Sequence, residues 1–359
     1  MKIPLVEIGS VLLFASAGCC IFLVLLNRFL ILMPDSTTKA PAVLATFMII
    51  LCAGAFLGLF LARPPWVYAP LMLLFLILIG EGRRVMIRRS CAGSSPVDTT
   101  PHRFKLAAPI TTTDLVVHRY HLPHPKWHGA PLRIVHLTDL HIHPSLPLEY
   151  YQEVVSIAEQ SNPDIAVFTG DFITCLDTLP KLAKVLRPIA RLETYAVLGN
   201  HDYWAGANAV REVITRSRLR LLSDETIALA VGENQMAIAG FDYPWGTQGR
   251  SISPQRSDVL HIVLSHTPDN IYRLSESSAD VVFSGHYHAG QIRIPVIGPI
   301  VIPSVYGRRF DHGHFVVNDT HLFVASGIGA ANPPVRIYCQ PDIFVVDITE
   351  RQDSRTLVG

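Results

Sequence analysis

The sequence predicts an α/β fold in which two sheets form a sandwich flanked by helices, preceded by N-terminal transmembrane helices. Two observations lead to this prediction: long apolar stretches occupy the first eighty residues, and short apolar runs recur through the remainder, which becomes strand-rich in its later half. A stretch of about 20 apolar residues is long enough to cross a bilayer. Short apolar runs are typical of strands that are buried on both faces.

Residues 1–89 form the predicted membrane region. Residues 8–26 and 42–62 are each long and apolar enough to span a hydrocarbon core. Residues 66–80 are shorter; we expect a third span there, with two spans as the alternative. A cleaved signal peptide at the first segment is disfavoured, because no Ala-x-Ala site follows and further apolar segments continue.

Basic residues set the predicted orientation of this membrane region. Four arginines follow its last apolar segment, at Arg83, Arg84, Arg88 and Arg89. By the positive-inside rule they stay in the cytoplasm, so the large C-terminal portion is expected there too. This predicts a multi-pass membrane protein with a cytoplasmic catalytic domain.

Residues 90–109 are rich in Ser, Thr, Pro and Gly and predict a flexible linker. Residues 110–359 are long enough for one domain with a single core. Apolar runs with flanking turn residues predict its strands, and apolar residues at helical spacing predict its helices. The predicted strands are 115–120, 132–137, 165–168, 195–198, 236–239, 261–264, 281–283, 315–317, 322–325 and 343–348, and the predicted helices are 151–160 and 179–192.

Side chains of metal-binding type follow five of these runs, in the motifs TDLH, TGD, GNHD, SHTP and GHYH. The carboxyl ends of strands in an open α/β sheet face one crevice, so these side chains are expected to converge. Two carboxylates, one amide and four imidazoles are enough to bind two divalent ions, which predicts a two-metal hydrolase. The seven residues are Asp139, His141, Asp171, Asn200, His266, His286 and His288.

Glycine recurs inside these motifs, at Gly170, Gly199 and Gly285. We expect it there because glycine permits the sharp strand-to-loop backbone that directs the next side chain towards the ions.

The five motifs, in this order, resemble those of the calcineurin-like metallophosphoesterases, over residues from about 114 to 348. The segments SGHYHAGQIRIP, YGRRFDHGHF and ASGIGAANPPVRI resemble the membrane-associated bacterial branch of that family. Some members of this branch cleave the pyrophosphate of UDP-2,3-diacylglucosamine in lipid A synthesis, and others are known as general phosphodiesterases. The resemblance implies a two-sheet metallophosphoesterase sandwich and a place in the bacterial inner membrane.

The resemblance also implies how the ligands are shared between the two ions. It places Asp139, His141 and His288 on one ion, Asn200, His266 and His286 on the other, and Asp171 between them. Manganese is the expected metal, with iron or zinc as alternatives. The expected nucleophile is a metal-bound hydroxide, because a bound cation lowers the pKa of water towards roughly 7.

Two further residues receive catalytic roles from the resemblance. His201 is expected to face the substrate as proton donor or as stabiliser of the transition-state oxygens, with Asp202 orienting its ring. General acid assistance of this kind contributes about 10²- to 10⁴-fold in rate. The loop 243–256, which contains Trp245, Arg250 and Arg256, is a candidate substrate wall.

Together these features predict a membrane-anchored phosphohydrolase acting on a phosphodiester or pyrophosphate. A lipid-linked nucleotide such as UDP-2,3-diacylglucosamine is a candidate substrate, because anchoring confines enzyme and lipid to one layer, and membrane lipids are expected partners. Nucleic acid is not an expected partner, since a formal net charge of +1 gives no case for a basic face. The alternative is a catalytically silent membrane scaffold or sensor, against which intact His201 and Asp202 argue.

Overall fold

The protein is described by a computed structural model that covers residues 5–30, 33, 38–62, 66–101, 106–246, 252 and 256–351. Its contacts divide the chain into two compact units. The helical unit comprises Met1–Ser90 and Ile300–Arg309, and the sandwich unit comprises Cys91–Pro299 and Phe310–Gly359.

The described residues of the helical unit form three long helices. They are α1 (Leu5–Leu25), which continues as a π-helical turn over Leu26–Leu30, α2 (Lys39–Phe60) and α3 (Tyr68–Ser90). Among the described helices, α1 and α2 are long and apolar enough to cross a membrane, by length and composition. The third span that we expected is not among these candidates, because the second half of α3 carries Glu81 and the four arginines. The two-span alternative fits this result.

Two glycines in α2 allow close contact with α1. A Cβ added to Gly58 would lie 2.5 Å from Cα of Val11, and one added to Gly54 would lie 2.8 Å from the carbonyl oxygen of Phe14. Small residues four apart are typical of helix pairs that pack closely within a membrane.

The segment Ile300–Arg309 also belongs to the helical unit, although the sequence placed it inside the 110–359 domain. The side chain of Asn27 donates to the carbonyl of Ile300 at 3.2 Å and accepts from the amide of Ile302 at 2.6 Å. Arg308 forms an ion pair with Glu81 at 2.5 Å. These partners are more than 200 residues apart in the chain, so local sequence patterns carry no signal for them.

Among its described residues, the sandwich unit contains the strands and four further α-helices. The helices are α4 (Leu148–Gln160), α5 (Leu179–Ile189), α6 (Asn200–Arg216) and α7 (Ile271–Ser275). The strands are β1 (Asp98–Thr100), β2 (Val116–His124), β3 (Leu132–Leu137), β4 (Ile165–Thr169), β5 (Glu193–Val197), β6 (Arg220–Leu221), β7 (Thr226–Val231), β8 (Asn234–Phe241), β9 (Leu260–Ser265), β10 (Val281–Ser284), β11 (Arg293–Ile294), β12 (Gly298–Pro299), β13 (Gly313–Val317), β14 (Thr320–Val324) and β15 (Asp342–Glu350).

These strands form two large sheets and a small hairpin. The first sheet has the order β1-β2-β15-β3-β4-β5-β6, the second has the order β13-β14-β10-β9-β8-β7, and β11 pairs with β12. Strands β3 to β6 are parallel, as are β8, β9, β10 and β14. Neighbouring parallel strands end at the same edge of a sheet, so the loops after β3, β4 and β5 share one edge, and those after β9 and β10 share another.

Apolar side chains alternate between the two faces of the first sheet and form two apolar layers. Ile134 and Val167 of the first sheet pack in one cluster with Leu264 and Phe283 of the second sheet. The opposite face of the first sheet packs against α4, α5 and α6. Full burial of each large aliphatic side chain contributes about 1.5 to 3 kcal/mol. The predicted fold class, a two-sheet α/β sandwich flanked by helices, is confirmed.

Part of the predicted flexible linker is a strand. The residues Asp98–Thr100 form β1 and pair antiparallel with β2, with Thr99 opposite His118. The prediction of a flexible tether was therefore wrong for these residues, because β2 offers a free edge to a threonine-rich segment.

Candidate metal centre

The seven predicted ligands follow the carboxyl ends of five strands. Asp139 and His141 follow β3, and Asp171 follows β4; Asn200 begins α6 after β5; His266 follows β9; His286 and His288 follow β10. All seven are buried, with exposed fractions between 0 and 7%. The structure thus brings together side chains that are separated by up to about 150 residues in the chain.

The ligand atoms form two groups that share Asp171. In the first group, one ligand atom from each of Asp139, His141, Asp171 and His288 lies within 4.8 Å of the others. In the second group the same holds for Asp171, His266 and His286. Asn200 joins the second group, because its Oδ1 lies 3.0 Å from Nε2 of His266.

Hydrogen bonds orient the ligands. Nδ1 of His266 lies 2.6 Å from the carbonyl oxygen of Thr169, which can only accept a hydrogen bond. Nδ1 is therefore a donor, and Nε2 faces the cluster, where it can bind a cation once it has lost its own proton. In Asp139, Oδ2 accepts from the hydroxyl of Thr138 at 2.7 Å and from the amide of His286 at 2.9 Å.

The other oxygen of Asp139 provides a test of whether a metal fits. Oδ1 of Asp139 is buried and has no hydrogen-bond donor among the described residues. It faces Nε2 of His288 at 3.4 Å and Nε2 of His141 at 3.9 Å. A buried carboxylate oxygen without a donor is costly in free energy unless a cation compensates it. The cluster of carboxylate, amide and imidazole ligands is therefore suited to binding two divalent metal ions.

The electrostatics of the cluster agree with this fit. Burial opposes a charged imidazole, yet the negative charges of Asp171 and Asp139 raise the pKa of His266 to about 9. Burial and the neighbouring His266 hold the pKa of His286 well below its usual range, and burial does the same for His288. The cluster attracts positive charge and keeps two imidazoles neutral, which is the state in which imidazole binds metals.

Five of the seven ligands have a left-handed backbone. Their φ angles are positive, between 37° and 68°. Such backbone costs about 1 to 3 kcal/mol per residue and is concentrated at functional sites, where packing holds it in place. The five residues are Asp139, His141, Asp171, His286 and His288.

The motif glycines act in two different ways. Gly170 has a φ of +95°, as expected for a sharp turn. Gly199 has an extended backbone, with a φ of −103°, so conformational freedom does not explain it. A Cβ on Gly199 would lie 2.1 Å from Oδ1 of Asp171, and a Cβ on Gly285 would lie 2.1 Å from Oδ2 of Asp139. These two glycines provide space for the carboxylates.

His201 lies beside the cluster. Its ring centroid is 4.6 Å from that of His141, and its backbone amide donates to Oδ1 of Asp171 at 2.8 Å. It is partly exposed, unlike the ligands, so it can reach a substrate that enters the site.

The described hydrogen bonds of Asp202 are with backbone amides, so its role in orienting the ring of His201 stays a prediction. Its carboxylate is fully buried and accepts from three backbone amides: Phe172 at 2.9 Å, Ile173 at 3.3 Å and Gly199 at 3.0 Å. The last contact is with the N-cap residue of α6 and is one half of a capping box, since glycine has no side chain to return the bond. Asp202 therefore fixes the loop after β4 to the start of α6, because the orphan amides of both segments point at it.

Sequence reasoning missed two neighbours of the cluster. The ring centroid of Trp204 lies 4.9 Å from that of His201. Arg336 is fully buried and its Nη2 lies 3.3 Å from Nδ1 of His288. Trp204 lies three residues after His201 on α6, a spacing that places both on one side of a helix, but α6 itself was not predicted.

One residue of the candidate substrate wall lies beside the cluster. The ring of Trp245 lies 5.1 Å from that of His286 and 5.5 Å from that of His266, by ring centroids. Arg256 is exposed and forms an ion pair with Asp258 at 2.7 Å. Arg250 lies outside the described residues.

Comparison with known proteins assigns the family. A family model described as calcineurin-like phosphoesterase matches residues 132–290. The uncharacterized metallophosphoesterase YkuE of Bacillus subtilis is 30% identical over 253 residues, covering 66% of this chain and 84% of that protein. The phosphodiesterase YaeI of Escherichia coli is 25% identical over 236 residues, covering 64% and 87% of the two chains.

A third relative carries a more specific name. The UDP-2,3-diacylglucosamine pyrophosphatase LpxG of Chlamydia trachomatis is 27% identical over 252 residues, covering 53% of this chain and 77% of that protein. Residues 132–290, which the family model matches, contain all seven predicted ligands and the five strands that these ligands follow, β3, β4, β5, β9 and β10. The chain therefore belongs to the calcineurin-like metallophosphoesterase family and is a metal-dependent phosphoester hydrolase.

Proposed function

We propose that this protein is a membrane-anchored hydrolase that uses two divalent ions to cleave a phosphodiester or pyrophosphate bond in an amphiphilic, lipid-linked nucleotide. UDP-2,3-diacylglucosamine is the leading candidate substrate. The observation that carries the proposal is the convergence of the predicted ligands into two groups that share Asp171. The name of the Chlamydia trachomatis relative supports the choice of substrate.

In this proposal the two groups hold one ion each. Asp139, His141 and His288 bind the first, Asn200, His266 and His286 bind the second, and Asp171 contributes to both. Two ions held there would supply Lewis acidity and a nucleophilic water. Manganese is the expected metal, because imidazole and carboxylate ligands are available.

The remaining catalytic work falls to residues of the chain. His201 is positioned to donate a proton to the leaving oxygen, because its partly exposed ring borders the cluster while its backbone is fixed by Asp171. Asp202 keeps His201 in place indirectly, by anchoring the first turn of α6. Proton donation at the leaving oxygen lowers the barrier to cleavage.

Aromatic rings at the cluster support a substrate that contains a ring. Trp204 packs against His201, and Trp245 packs against His286. Both indoles are partly exposed, so each can offer a face to a base or a sugar. Stacking on such a face contributes about 1 to 3 kcal/mol per base.

An apolar hairpin near the cluster supports a lipid portion. The hairpin of β11 and β12 begins five residues after His288. At its tip Val296 is fully exposed and Ile297 is 63% exposed, and Ile294 is 39% exposed. Exposed apolar groups gathered on one loop are typical of membrane or ligand contacts.

The proposed arrangement in the cell follows from the same features. We propose that residues 1–89 anchor the protein in the bacterial inner membrane and that residues 110–359 act as a cytoplasmic catalytic domain. Residues 90–109 link the two parts. The two apolar helices and the arginines at the end of α3 support this arrangement.

Hydrolysis of two substrates tests the proposed function. The purified full-length protein, in detergent with manganese, is given bis(4-nitrophenyl) phosphate or UDP-2,3-diacylglucosamine, with Asp171→Asn as the blank. The exposed Asp177 provides a matched control, since Asp177→Asn makes the same chemical change on the surface. We expect the wild type and Asp177→Asn to cleave the lipid nucleotide at a far higher kcat/KM than the generic diester.

The other outcomes distinguish the parts of the proposal. Cleavage of the generic diester alone would reject the lipid nucleotide and leave a phosphodiesterase. Cleavage of neither substrate, by a protein that binds two ions, would favour the silent scaffold.

A further inference from the structure

A second cluster of potential metal ligands lies apart from the seven residues of the catalytic cluster. One ligand atom from each of His118, His312 and Asp342 lies within 4.8 Å of the others. His118 lies on β2, Asp342 begins β15 beside it, and His312 directly precedes β13. His118 and Asp342 belong to the first sheet and His312 leads into the second sheet, so the cluster joins the two sheets.

Both imidazoles point at the same carboxylate oxygen. Nε2 of His312 lies 2.6 Å from Oδ2 of Asp342, and Nε2 of His118 lies 3.8 Å from that oxygen. The other oxygen, Oδ1, accepts from the amide of Ser326 at 2.8 Å. Asp342 is 1% exposed, so its charge is removed from water and needs compensation.

Neighbouring groups fix the rings in this orientation. Nδ1 of His118 lies 2.9 Å from the hydroxyl of Thr99, which leaves Nε2 directed at Asp342. The ring of Phe344 packs at 5.6 Å from the centroids of both His118 and His312. Metal-binding histidines typically have the second nitrogen held by a hydrogen bond in this way.

The donor set and its spacing suit a tetrahedral cation. Zinc bonds of about 2.0 to 2.1 Å place neighbouring ligand atoms about 3.3 Å apart. The separations of the two imidazole nitrogens from Oδ2 of Asp342, 2.6 and 3.8 Å, lie on either side of that value, so small side-chain movements reach it. The side chains of His118 and His312 are 15% and 28% exposed, which leaves room for water as a fourth ligand.

We propose that His118, His312 and Asp342 form a third divalent-cation site, best suited to zinc, that joins the two sheets outside the catalytic cluster. Two imidazoles and one carboxylate favour zinc over calcium or magnesium, which prefer oxygen ligands. Zinc binding to the folded state alone stabilises the protein in proportion to the logarithm of zinc concentration above its Kd.

Zinc content tests this site without depending on catalysis. Bound zinc is measured after equilibrium dialysis of the full-length protein in detergent, in the wild type and in Asp171→Asn. In each background His312→Gln and His118→Gln are compared with His121→Gln, a control on the same strand whose side chain is exposed. Thermal melting with and without zinc shows whether each variant is folded.

We expect His312→Gln and His118→Gln each to lose one equivalent of zinc in both backgrounds, while His121→Gln loses none. Zinc raises the Tm of Asp171→Asn, and it does so less after either substitution at the second cluster. Equal zinc content in all folded variants would overturn the site and leave an ordinary hydrogen-bonded histidine and aspartate pair. Because the readout is a difference of one equivalent, failure of the catalytic proposal would not mimic either result.

Discussion

Oδ2 of Asp171 lies 3.3 Å from Nε2 of His266. The same oxygen lies 3.3 Å from Nε2 of His141, which belongs to the other ligand group. Oδ1 of Asp171 is engaged by the amide of His201, so Oδ2 is the atom that both groups share. A single carboxylate between two ligand groups is the arrangement that two neighbouring ions require.

The first prediction concerns this shared oxygen. Asp171→Asn replaces an anionic oxygen with a neutral amide, so we expect loss of two metal equivalents relative to the wild type and loss of activity to background. Metal analysis of the purified protein checks this, with Asp177→Asn as the control that keeps both. Two ions retained tightly in Asp171→Asn would reject the shared role.

The second prediction separates His201 from Asp202. His201→Ala is expected to keep the metals and lower kcat by about 10²-fold or more, since a proton donor is removed. Asp202→Ala leaves three backbone amides without an acceptor, so we expect it mainly to lower stability, by about 1 to 3 kcal/mol. Steady-state kinetics with metal analysis checks the first change and thermal melting checks the second. An unchanged kcat in His201→Ala would assign proton donation to another group.

The third prediction concerns the space beside Asp139. In Gly285→Ala the added methyl would lie 2.1 Å from Oδ2 of Asp139 and from Oγ1 of Thr138, so the carboxylate must move. We expect metal affinity to fall at least about 10-fold, because ligand placement within about 0.5 Å matters. Gly82→Ala is the control, since nothing lies within 4 Å of its added Cβ. Equal manganese affinity in both variants would show that this contact is not needed.

The fourth prediction concerns the apolar hairpin. Replacing Val296 and Ile297 with serine is expected to raise KM for UDP-2,3-diacylglucosamine several-fold and to leave hydrolysis of bis(4-nitrophenyl) phosphate unchanged. Val97→Ser is the control, because Val97 is 71% exposed elsewhere in the sandwich unit. A lower kcat/KM with both substrates would indicate damage to the cluster. An unchanged kcat/KM with both would show that the hairpin does not take part in substrate binding.

The fifth prediction concerns acid stability. Burial, together with the nearby His321, lowers the pKa of His314 from 6.5 to about 4. Between about pH 4 and pH 6.5 the unfolded chain therefore binds a proton at this residue that the folded state does not bind. The neutral, buried His314 contributes to the free energy of unfolding above about pH 6.5, and this contribution is lost as pH falls to about 4. In metal-free protein, we expect the Tm of His314→Gln to fall less between pH 7 and pH 4.5 than the Tm of the wild type. Parallel Tm profiles would exclude this role.

Much of the catalytic cluster was predictable, because its ligands lie in short motifs after apolar strands. The fold class follows from the same strand pattern. The boundaries were less predictable: β2 extends to His124, beyond the predicted strand 115–120 and past Pro123, because pairing with β15 continues to Glu350. Such pairing depends on residues more than 200 positions away.

The contacts of Asp202 show what adjacency in sequence does not specify. Its position next to His201 indicated an orienting partner, but its carboxylate turns to the amides at the start of α6 and after β4. The direction of a side chain at a helix start depends on where the previous strand ends, which sequence spacing does not specify. Trp204 was missed for a different reason: α6 carries few apolar residues at helical spacing before its second half, so the helix itself was not predicted.

Electron paramagnetic resonance of the manganese-loaded protein tests the shared Asp171 most directly. His312→Gln is used as the background, so that manganese at the second cluster does not contribute, and two equivalents are added. We predict the spectrum of an exchange-coupled manganese pair. When Asp171→Asn is added to the same background, we predict the spectrum of weakly bound, uncoupled manganese. Two equivalents bound as isolated ions, with no coupling in the protein that retains Asp171, would contradict the two-ion site.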